Sequence, residues 1–249
     1  MLDTLGIVDA CFASSRARIK AARKLGTKSV LEWIIRRMTD CEQLDGVIVL
    51  TNDDPENRII QELTPLDVPV FASRRPDVLG SLAAALEEYG CRSVVRMSAE
   101  RPFVDPSLVD RLVCTARTEL DCDYASYASR NGRPAVLSPI GVFAEWFRTD
   151  ALRLAARKAK APEDRDNPTR YVCSHPERFR ICLLPAPAAI DREDVRLTVD
   201  IEEDWENALA IFEALGPEEL DWQRIAHLLD HQPAMRKRMA ALNRVYAPS

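Results

Sequence analysis

The segment Gly46-Val-Ile-Val-Leu-Thr-Asn-Asp-Asp-Pro-Glu-Asn-Arg-Ile-Ile-Gln-Glu-Leu63 decides the fold class. It opens with a short β-branched run, residues 46–50, which is typical of a buried strand. Asp54 and Pro55 then supply a helix N-cap and a proline at the first helical position, so the pattern predicts a helix over residues 54–63. A strand followed at once by a helix is the unit from which parallel sheets are built.

The same unit recurs along the chain. Further strands are predicted at residues 6–11, 68–71, 93–97, 124–128, 179–184 and 195–199. Further helices are predicted at residues 29–38, 77–89, 107–119 and 202–215, and two more between residues 221 and 245. This alternation predicts an α/β protein with a parallel sheet.

The pattern also predicts how the chain is divided. Residues 1–220 are expected to form one α/β domain, because strands and helices alternate through most of it. Residues 129–185 interrupt the alternation with glycine, proline, aromatic and unpatterned polar residues, so they are expected to form an insertion. Residues 221–249 are expected to be a C-terminal helical extension.

Composition excludes several classes of protein. The 249 residues are 47% hydrophobic and 29% charged, which fits a packed globular chain. A net charge of −5 does not suit a nucleic-acid binder, and without an apolar run of 18 residues no membrane partner is expected. The sequence has no G-x-G-x-x-G or P-loop motif, and its three histidines argue against zinc chemistry. Seven scattered cysteines and an acidic N-terminus predict a cytoplasmic protein with reduced thiols.

A basic segment, residues 12–28, follows the first predicted strand. It contains six cations and no acidic residue: Arg16, Arg18, Lys20, Arg23, Lys24 and Lys28. Open α/β sheets bind ligands outside the carboxyl ends of their strands, so a loop here could clasp a polyphosphate. The alternative is a solvated basic helix capped by Ser14 or Ser15. Composition alone leaves both interpretations open.

Two acidic residues follow other predicted strands. Glu100 comes after the strand at residues 93–97, and Asp200 comes after the strand at residues 195–199. Two such carboxylates suit Mg²⁺ when phosphate oxygens and water complete its shell. Acidic residues at strand ends also commonly cap the next helix, so the pattern by itself leaves a structural role open.

Four segments carry more specific motifs, in a fixed order along the chain. They are residues 14–20 (SSRARIK), 25–32 (LGTKSVLE), 94–106 (VVRMSAERPFVDP) and 196–204 (RLTVDIEED). Together they resemble the cytidylyltransferase family, which includes spore-coat polysaccharide biosynthesis proteins and the enzymes that activate acylneuraminate and 3-deoxy-manno-octulosonate sugars. The resemblance spans residues 5–215.

The resemblance implies a Rossmann-like, mostly parallel sheet flanked by helices, with a small dimerisation and lid insertion. It implies transfer of CMP from CTP to a sugar, sugar acid or phosphorylated acceptor, release of pyrophosphate, Mg²⁺ as cofactor and a homodimer. The positions that it assigns are Arg16 and Lys20 for catalysis, Ala13, Ser14, Ser15, Arg96 and Ser98 for the nucleotide, Glu145 and Arg165 for the acceptor, and Glu100 and Asp200 for the metal.

A second interpretation is a nucleotide- or sugar-binding homologue that has lost catalysis and serves as a partner or regulatory subunit. Three departures from the family pattern motivate it. The first loop lacks a Pro-Gly pair, Ala99-Glu100 stands where the family has Gly-Asp, and Phe143 stands where the family has an acidic residue.

Overall fold

The computed structural model describes residues 2–12, 14–119 and 121–246. Seven strands of the described chain form one sheet in the order β5-β4-β1-β6-β8-β7-β9. The strands are β1 (Leu2–Asp9), β4 (Gly46–Asn52), β5 (Val70–Ser73), β6 (Cys91–Ser98), β7 (Tyr124–Ala128), β8 (Glu145–Arg148) and β9 (Ile181–Pro185). Strand β8 is antiparallel to both neighbours and the other adjacent pairs are parallel. Strands β2 (Lys24–Leu25) and β3 (Lys28–Ser29) form a separate small hairpin.

Helices lie between the strands along the chain and after the last strand, β9. They are α1 (Ser15–Ala22), α2 (Val30–Thr39), α3 (Arg58–Leu63), α4 (Val78–Tyr89), α5 (Pro106–Thr118), α6 (Thr149–Lys158), α7 (Pro162–Arg165), α8 (Pro168–Cys173), α9 (Glu202–Leu215), α10 (Trp222–Asp230) and α11 (Pro233–Val245). Their starts follow local chemistry: Ser29, Asp77 and Asp105 each cap a helix by accepting a hydrogen bond from a backbone N–H of its first turn.

The sheet is buried on both faces. In β1, Ile7 and Val8 are both fully buried and belong to different apolar clusters, because successive strand residues point to opposite faces. Helices α2, α5 and α9–α11 cover the face of Val8, and α4, α6 and α8 cover the face of Ile7. The result is a three-layer α/β/α arrangement, as predicted from the strand and helix alternation.

Most predicted elements are confirmed within a few residues, and two are confirmed at both ends, β7 (Tyr124–Ala128) and α9 (Glu202–Leu215). The strand predicted at residues 195–199 is wrong. This segment has no ladder partner, although its apolar residues are buried like those of a strand. Residues 129–185 contribute β8 and β9 to the main sheet, so this segment is built into the central layer.

The segment 195–200 is held by hydrogen bonds to a loop and not by pairing with a neighbouring strand. Leu197 donates its backbone N–H to the Pro139 carbonyl at 2.8 Å. Gly141 makes this packing possible: its φ is +78°, and a β-carbon there would lie 2.7 Å from the Leu197 carbonyl carbon. The close approach of these two backbones sets the position of Asp200 at the end of the segment.

The described residues also contain no helix that is both long enough and apolar enough to cross a membrane.

Candidate active site

The carboxyl ends of β1 and β6 finish level with each other. Asp9 and Ser98, the last residues of the two strands, are paired in register, and Ala99 donates its N–H to the Asp9 carbonyl at 3.0 Å. Glu100 follows directly. The predicted nucleotide residue Ser98 therefore lies at the sheet edge where open α/β folds bind ligands.

Glu100 and Asp200 come together, although 100 positions separate them in the sequence. Both line one cavity of about 210 Å³, and the Val199 N–H donates to the Glu100 carbonyl at 2.9 Å. Burial raises the pKa of Glu100, and the negative charge of Asp200 raises it further, whereas Lys20 and Arg101 act in the opposite direction. A buried acid whose charge is destabilised by a neighbouring acid lies in a pocket that favours a cation.

Asp200 is oriented by its own neighbours. Its Oδ2 atom accepts hydrogen bonds from Thr198 Oγ1 at 2.8 Å and from Arg196 Nη2 at 3.3 Å. Arg196 is itself fixed by a buried bidentate pair with Asp204, at 2.6 and 2.9 Å. Asp204 also accepts from the Asp200 backbone N–H at 2.9 Å. This network holds the Asp200 side chain, which is 40% exposed, at the cavity.

The basic segment forms a helix at the same edge. Ser14 caps α1 by accepting from the Ala17 N–H, so a helix capped by Ser14 is confirmed, and phosphate binding by this segment stays a prediction. Ser15 and Arg16 lie exposed in its first turn. Lys20, one turn further, donates from Nζ to the Asp200 backbone carbonyl. Ala13, predicted to contact the nucleotide, lies outside the described residues.

Arg96 and Glu145, assigned to the nucleotide and to the acceptor, contact each other in this structure. Arg96 contacts Asp9 at 2.7 Å and Glu145 at 2.7 Å, and Glu145 is fully buried. The second Glu145 oxygen accepts from Thr169 Oγ1 at 2.5 Å. Burial alone would lower the pKa of the Arg96 guanidinium, but attraction by Asp9 and Glu145 outweighs it and raises the pKa. Glu145 thus belongs to a buried ion triad with Arg96 and Asp9, and the acceptor contact assigned to it stays a prediction.

Arg165 also has a structural set of partners. Its guanidinium contacts Asp77 at 2.9 Å and donates to the carbonyls of Ala156 and Ala159 at 2.9 and 3.0 Å. It thereby ties α7 to the end of α6 and to the start of α4, and the acceptor contact assigned to it stays a prediction. Phe143 is fully buried against Tyr127, with ring centroids 4.9 Å apart, so that position faces the core.

Sequence reasoning overlooked Arg101 and Asp9. Arg101 lines the cavity of Glu100 and Asp200, and its guanidinium donates to the backbone carbonyls of Val136 and Ser138. It thus ties the loop at residues 136–138 to the acidic pair. Both residues could have been found from their charge. Arg101 is next to Glu100 and Asp9 ends a buried strand, so each needs a nearby partner.

The carboxylates of this cavity suit Mg²⁺ that is bound together with a nucleotide. The described residues contain no cluster of three or more His, Cys, Asp or Glu side chains suited to a metal. Glu100 and Asp200 offer two hard oxygen donors in one cavity. Mg²⁺ commonly binds through one or two carboxylates together with water and substrate phosphates, so this pair suits a cation that arrives with a nucleotide.

The raised pKa of Glu100 predicts a stability effect. Above this pKa the buried charge destabilises the fold, and below the unfolded value of about 4.3 the group is protonated in both states. Glu100→Gln is therefore expected to be more stable than the wild type at pH 7, with a difference that shrinks as the pH falls through that window. Urea unfolding at several pH values measures it. The exposed control Glu203→Gln should change the free energy of unfolding by less than about 0.5 kcal/mol, and a less stable Glu100→Gln at pH 7 would contradict the expectation.

The fold and the family match define a class: an α/β enzyme of the nucleotidyltransferase type, built on a mostly parallel seven-stranded sheet with the candidate site at its carboxyl edge. More narrowly, the chain belongs to the cytidylyltransferase family, whose model matches residues 5–238. The family predicted from the sequence is therefore confirmed.

Individual relatives agree with this assignment. The chain is 29% identical over 236 residues to an uncharacterised protein of Methanocaldococcus jannaschii, covering 93% of this chain and 92% of the relative. It is 26% identical over 223 residues to the spore coat polysaccharide biosynthesis protein SpsF of Bacillus subtilis, covering 87% and 89%. The solved structure of a cytidylyltransferase from Leptospira borgpetersenii superposes with a TM-score of 0.79 at 18% identity, over 94% of this chain and 95% of that one.

Proposed function

We propose that this chain transfers CMP from CTP to a sugar-type acceptor, releasing pyrophosphate, in the biosynthesis of a surface polysaccharide or glycoconjugate. The observation that carries the proposal is the convergence of Glu100, Asp200 and Lys20 at the carboxyl edge of β1 and β6. Similarity to SpsF and, over 113 residues at 28% identity, to the 3-deoxy-manno-octulosonate cytidylyltransferase of Leptospira interrogans supports the nucleotide and the acceptor class.

In the proposed reaction, an acceptor oxygen attacks the α-phosphorus of CTP. A new oxygen–phosphorus bond forms, the bond from the α-phosphorus to the bridging oxygen breaks, and pyrophosphate leaves with the electron pair. An attacking hydroxyl loses its proton to solvent. Such transfers depend on positioning and on charge stabilisation more than on covalent chemistry by the protein.

Different residues of this chain would supply the positioning and the charge stabilisation. Lys20 and Arg16 would meet the β- and γ-phosphates, and the N-terminus of α1 favours negative charge because its backbone N–H groups point outward. Glu100 and Asp200 would hold Mg²⁺, which supplies charge neutralisation at the phosphates when it is bound. Arg101 keeps the loop at residues 136–138 beside the acids.

A larger cavity supports a place for the acceptor. It measures about 860 Å³ and adjoins the cavity of the acidic pair, since Ser138 and Pro139 line both. Cavities of 300–1,000 Å³ typically hold ligands the size of a drug or a cofactor. We place the acceptor there, with its attacking oxygen toward Glu100 and Asp200.

The proposal is tested by pyrophosphate release. The chain would be incubated with CTP, Mg²⁺ and a panel of sugar acids, sugar phosphates and other sugars, with UTP, ATP and GTP as competing nucleotides. Acceptor-dependent release from CTP is expected, and it should stop when EDTA removes Mg²⁺. If CTP raises the melting temperature while no acceptor gives release, the transfer reaction is contradicted for that panel and binding alone is supported.

Lys20→Met is expected to raise the KM for CTP about 10- to 100-fold, because a charge-assisted contact to the phosphates, worth about 1.5–3 kcal/mol, is lost. Steady-state kinetics at saturating acceptor measures it. Lys24→Met is the matched control, since Lys24 lies in the same basic segment but is exposed in the small hairpin. Equal KM values for the wild type and Lys20→Met would remove Lys20 from the nucleotide site.

The homodimer implied by the family resemblance and the cytoplasmic location stay predictions. Light scattering during size-exclusion chromatography measures the first, because a dimer of this 28.0 kDa chain has twice its mass.

A further inference from the structure

The C-terminal helix α11 ends at the candidate active site. Tyr246, the residue directly after α11, lines the cavity of Glu100 and Asp200. Its backbone N–H donates to the Leu242 carbonyl at 2.9 Å, so the helix sets its position. The larger cavity, in which we place the acceptor, is lined by three residues of the same helix, Ala240, Asn243 and Arg244. The end of α11 is therefore a wall that both cavities share.

The same end of α11 is attached to the backbone that carries Asp200. Met239 is fully buried in the core. Asn243 donates from Nδ2 to the carbonyls of Glu193 and Val195, at 2.8 and 3.0 Å. Val195 begins the segment that ends at Asp200, so packing and hydrogen bonds set the position of the helix end relative to the acidic pair.

The Tyr246 ring lies over a buried cation of the site. The guanidinium carbon of Arg196 is 5.7 Å from the ring centroid, a distance typical of a cation–π contact. Arg196 in turn donates to the Asp200 carboxylate. Tyr246 is nonetheless 50% exposed, so part of a large aromatic ring stays open beside the acidic pair.

Tyr246 gives the site an aromatic surface. It is the only aromatic residue among the described residues that line the two cavities, and Leu137 and Pro139 are the other apolar residues of the smaller one. Aromatic side chains in ligand sites pack against apolar surfaces of the ligand. The C–H groups of a cyclic sugar form such a surface on the faces of its ring, whereas an open-chain polyol has no rigid face of this kind.

We propose that Tyr246 is a specificity-determining residue of the acceptor site, where its ring packs against a face of a cyclic sugar. The contact orients the attacking oxygen toward Glu100 and Asp200 and favours a cyclic acceptor over an open-chain polyol phosphate. This inference rests on the proposed transfer, which places the acceptor beside the acidic pair. The family model matches residues 5–238, so Tyr246 lies outside the part of the chain that the family match defines.

Tyr246→Leu tests the contact by kinetics. It should raise the KM for the acceptor about 5- to 20-fold, as loss of one aromatic stacking contact does. The KM for CTP should stay within about twofold, because the ring contacts the acceptor and not the nucleotide. Pyrophosphate release at varied acceptor and at varied CTP measures both constants. Since Tyr246 is half exposed at a helix end, the fold is expected to persist, and thermal unfolding verifies it.

Two matched variants accompany Tyr246→Leu. Tyr246→Phe keeps the ring and should match the wild type in both constants. Val245→Ala changes the preceding residue, which is 73% exposed and lines neither cavity, and it should also match the wild type. A Tyr246→Phe variant with the same loss as Tyr246→Leu would overturn the ring contact, and so would a Tyr246→Leu variant that raises only the KM for CTP.

Saturation-transfer NMR on the full chain measures sugar binding without turnover. Glucose 6-phosphate and sorbitol 6-phosphate are matched probes, because they have the same carbon count and the same phosphate but only the first is cyclic. The sugar acids 3-deoxy-manno-octulosonate and gluconate form a second cyclic and open-chain pair. At least one cyclic probe is expected to bind saturably, at least about fivefold more tightly than its open-chain counterpart. Tyr246→Leu should remove this preference, and Tyr246→Phe should keep it.

The binding measurement separates this inference from the transfer reaction. Sugar binding that Tyr246→Leu weakens, without pyrophosphate release from any acceptor, would refute the transfer and support the sugar contact. Equal binding of the cyclic probe by the wild type and Tyr246→Leu would overturn the contact even if release occurs. Absence of saturable binding of both cyclic probes, or tighter binding of the open-chain probes by the wild type, would overturn it as well.

Discussion

Asp200→Asn is expected to lower the rate of pyrophosphate release from CTP about 100- to 1,000-fold, as removal of a single preorganised charge-stabilising group does elsewhere. Asparagine keeps the size of the side chain and can accept the hydrogen bonds from Thr198 and Arg196, but it loses the negative charge that would hold Mg²⁺. The side chain is 40% exposed, so the fold is expected to persist. Single-turnover kinetics at several Mg²⁺ concentrations measures the effect.

The matched control is Glu203→Gln, which removes an exposed acidic charge three residues further along the chain. It should leave the rate and the Mg²⁺ dependence unchanged. Because Asp200→Asn weakens a proposed metal ligand, excess Mg²⁺ should recover part of its activity. Full activity of Asp200→Asn at low Mg²⁺ would refute the assignment of the acidic pair.

Arg96→Met is expected to lower the free energy of unfolding by about 3–5 kcal/mol, because it leaves two buried carboxylates without their cation. The Arg96 side chain is 15% exposed, and its partners Asp9 and Glu145 are 6% and 0% exposed, so water screens the triad little. Chemical denaturation at pH 7 measures the change.

The control for Arg96→Met is Arg92→Met in the same strand, whose side chain is 72% exposed and which should cost no more than about 1 kcal/mol. This pair also separates two roles of Arg96. A nucleotide contact would leave the stability unchanged and raise the KM for CTP, whereas the buried triad makes instability the main result. An Arg96→Met variant as stable as Arg92→Met would restore the nucleotide interpretation.

The local pattern was sufficient for most of the architecture. Alternating apolar strands and capped helices predicted the parallel layers, because periodicity and N-caps act over a few residues. The prediction of a strand at residues 195–199 failed for the same reason. Buried apolar residues look alike in a strand and in an extended loop, and only the presence of a neighbouring strand distinguishes the two.

Sequence motifs identified the charged residues of the candidate site, but not which of them contact each other. Glu100, Asp200 and Lys20 were identified from motif positions, and the structure brings them to one edge. Arg96 and Glu145 were assigned to the nucleotide and to the acceptor by the family resemblance. Whether such a charge faces a ligand or a buried partner depends on the pairing of β6 with β8, which is antiparallel and sets Arg96 opposite Glu145.

By itself, the sequence determined the layered α/β fold, because strand and helix patterns are short-range, and its motifs determined the family through their resemblance to known members. Tertiary structure alone decided which charges meet. Asp200 lies beside Glu100 in a segment whose backbone closely approaches Gly141, and Glu145 meets Arg96 because β8 pairs with β6. Long-range packing makes these contacts, and charge interactions depend on distance and burial, which no local pattern specifies.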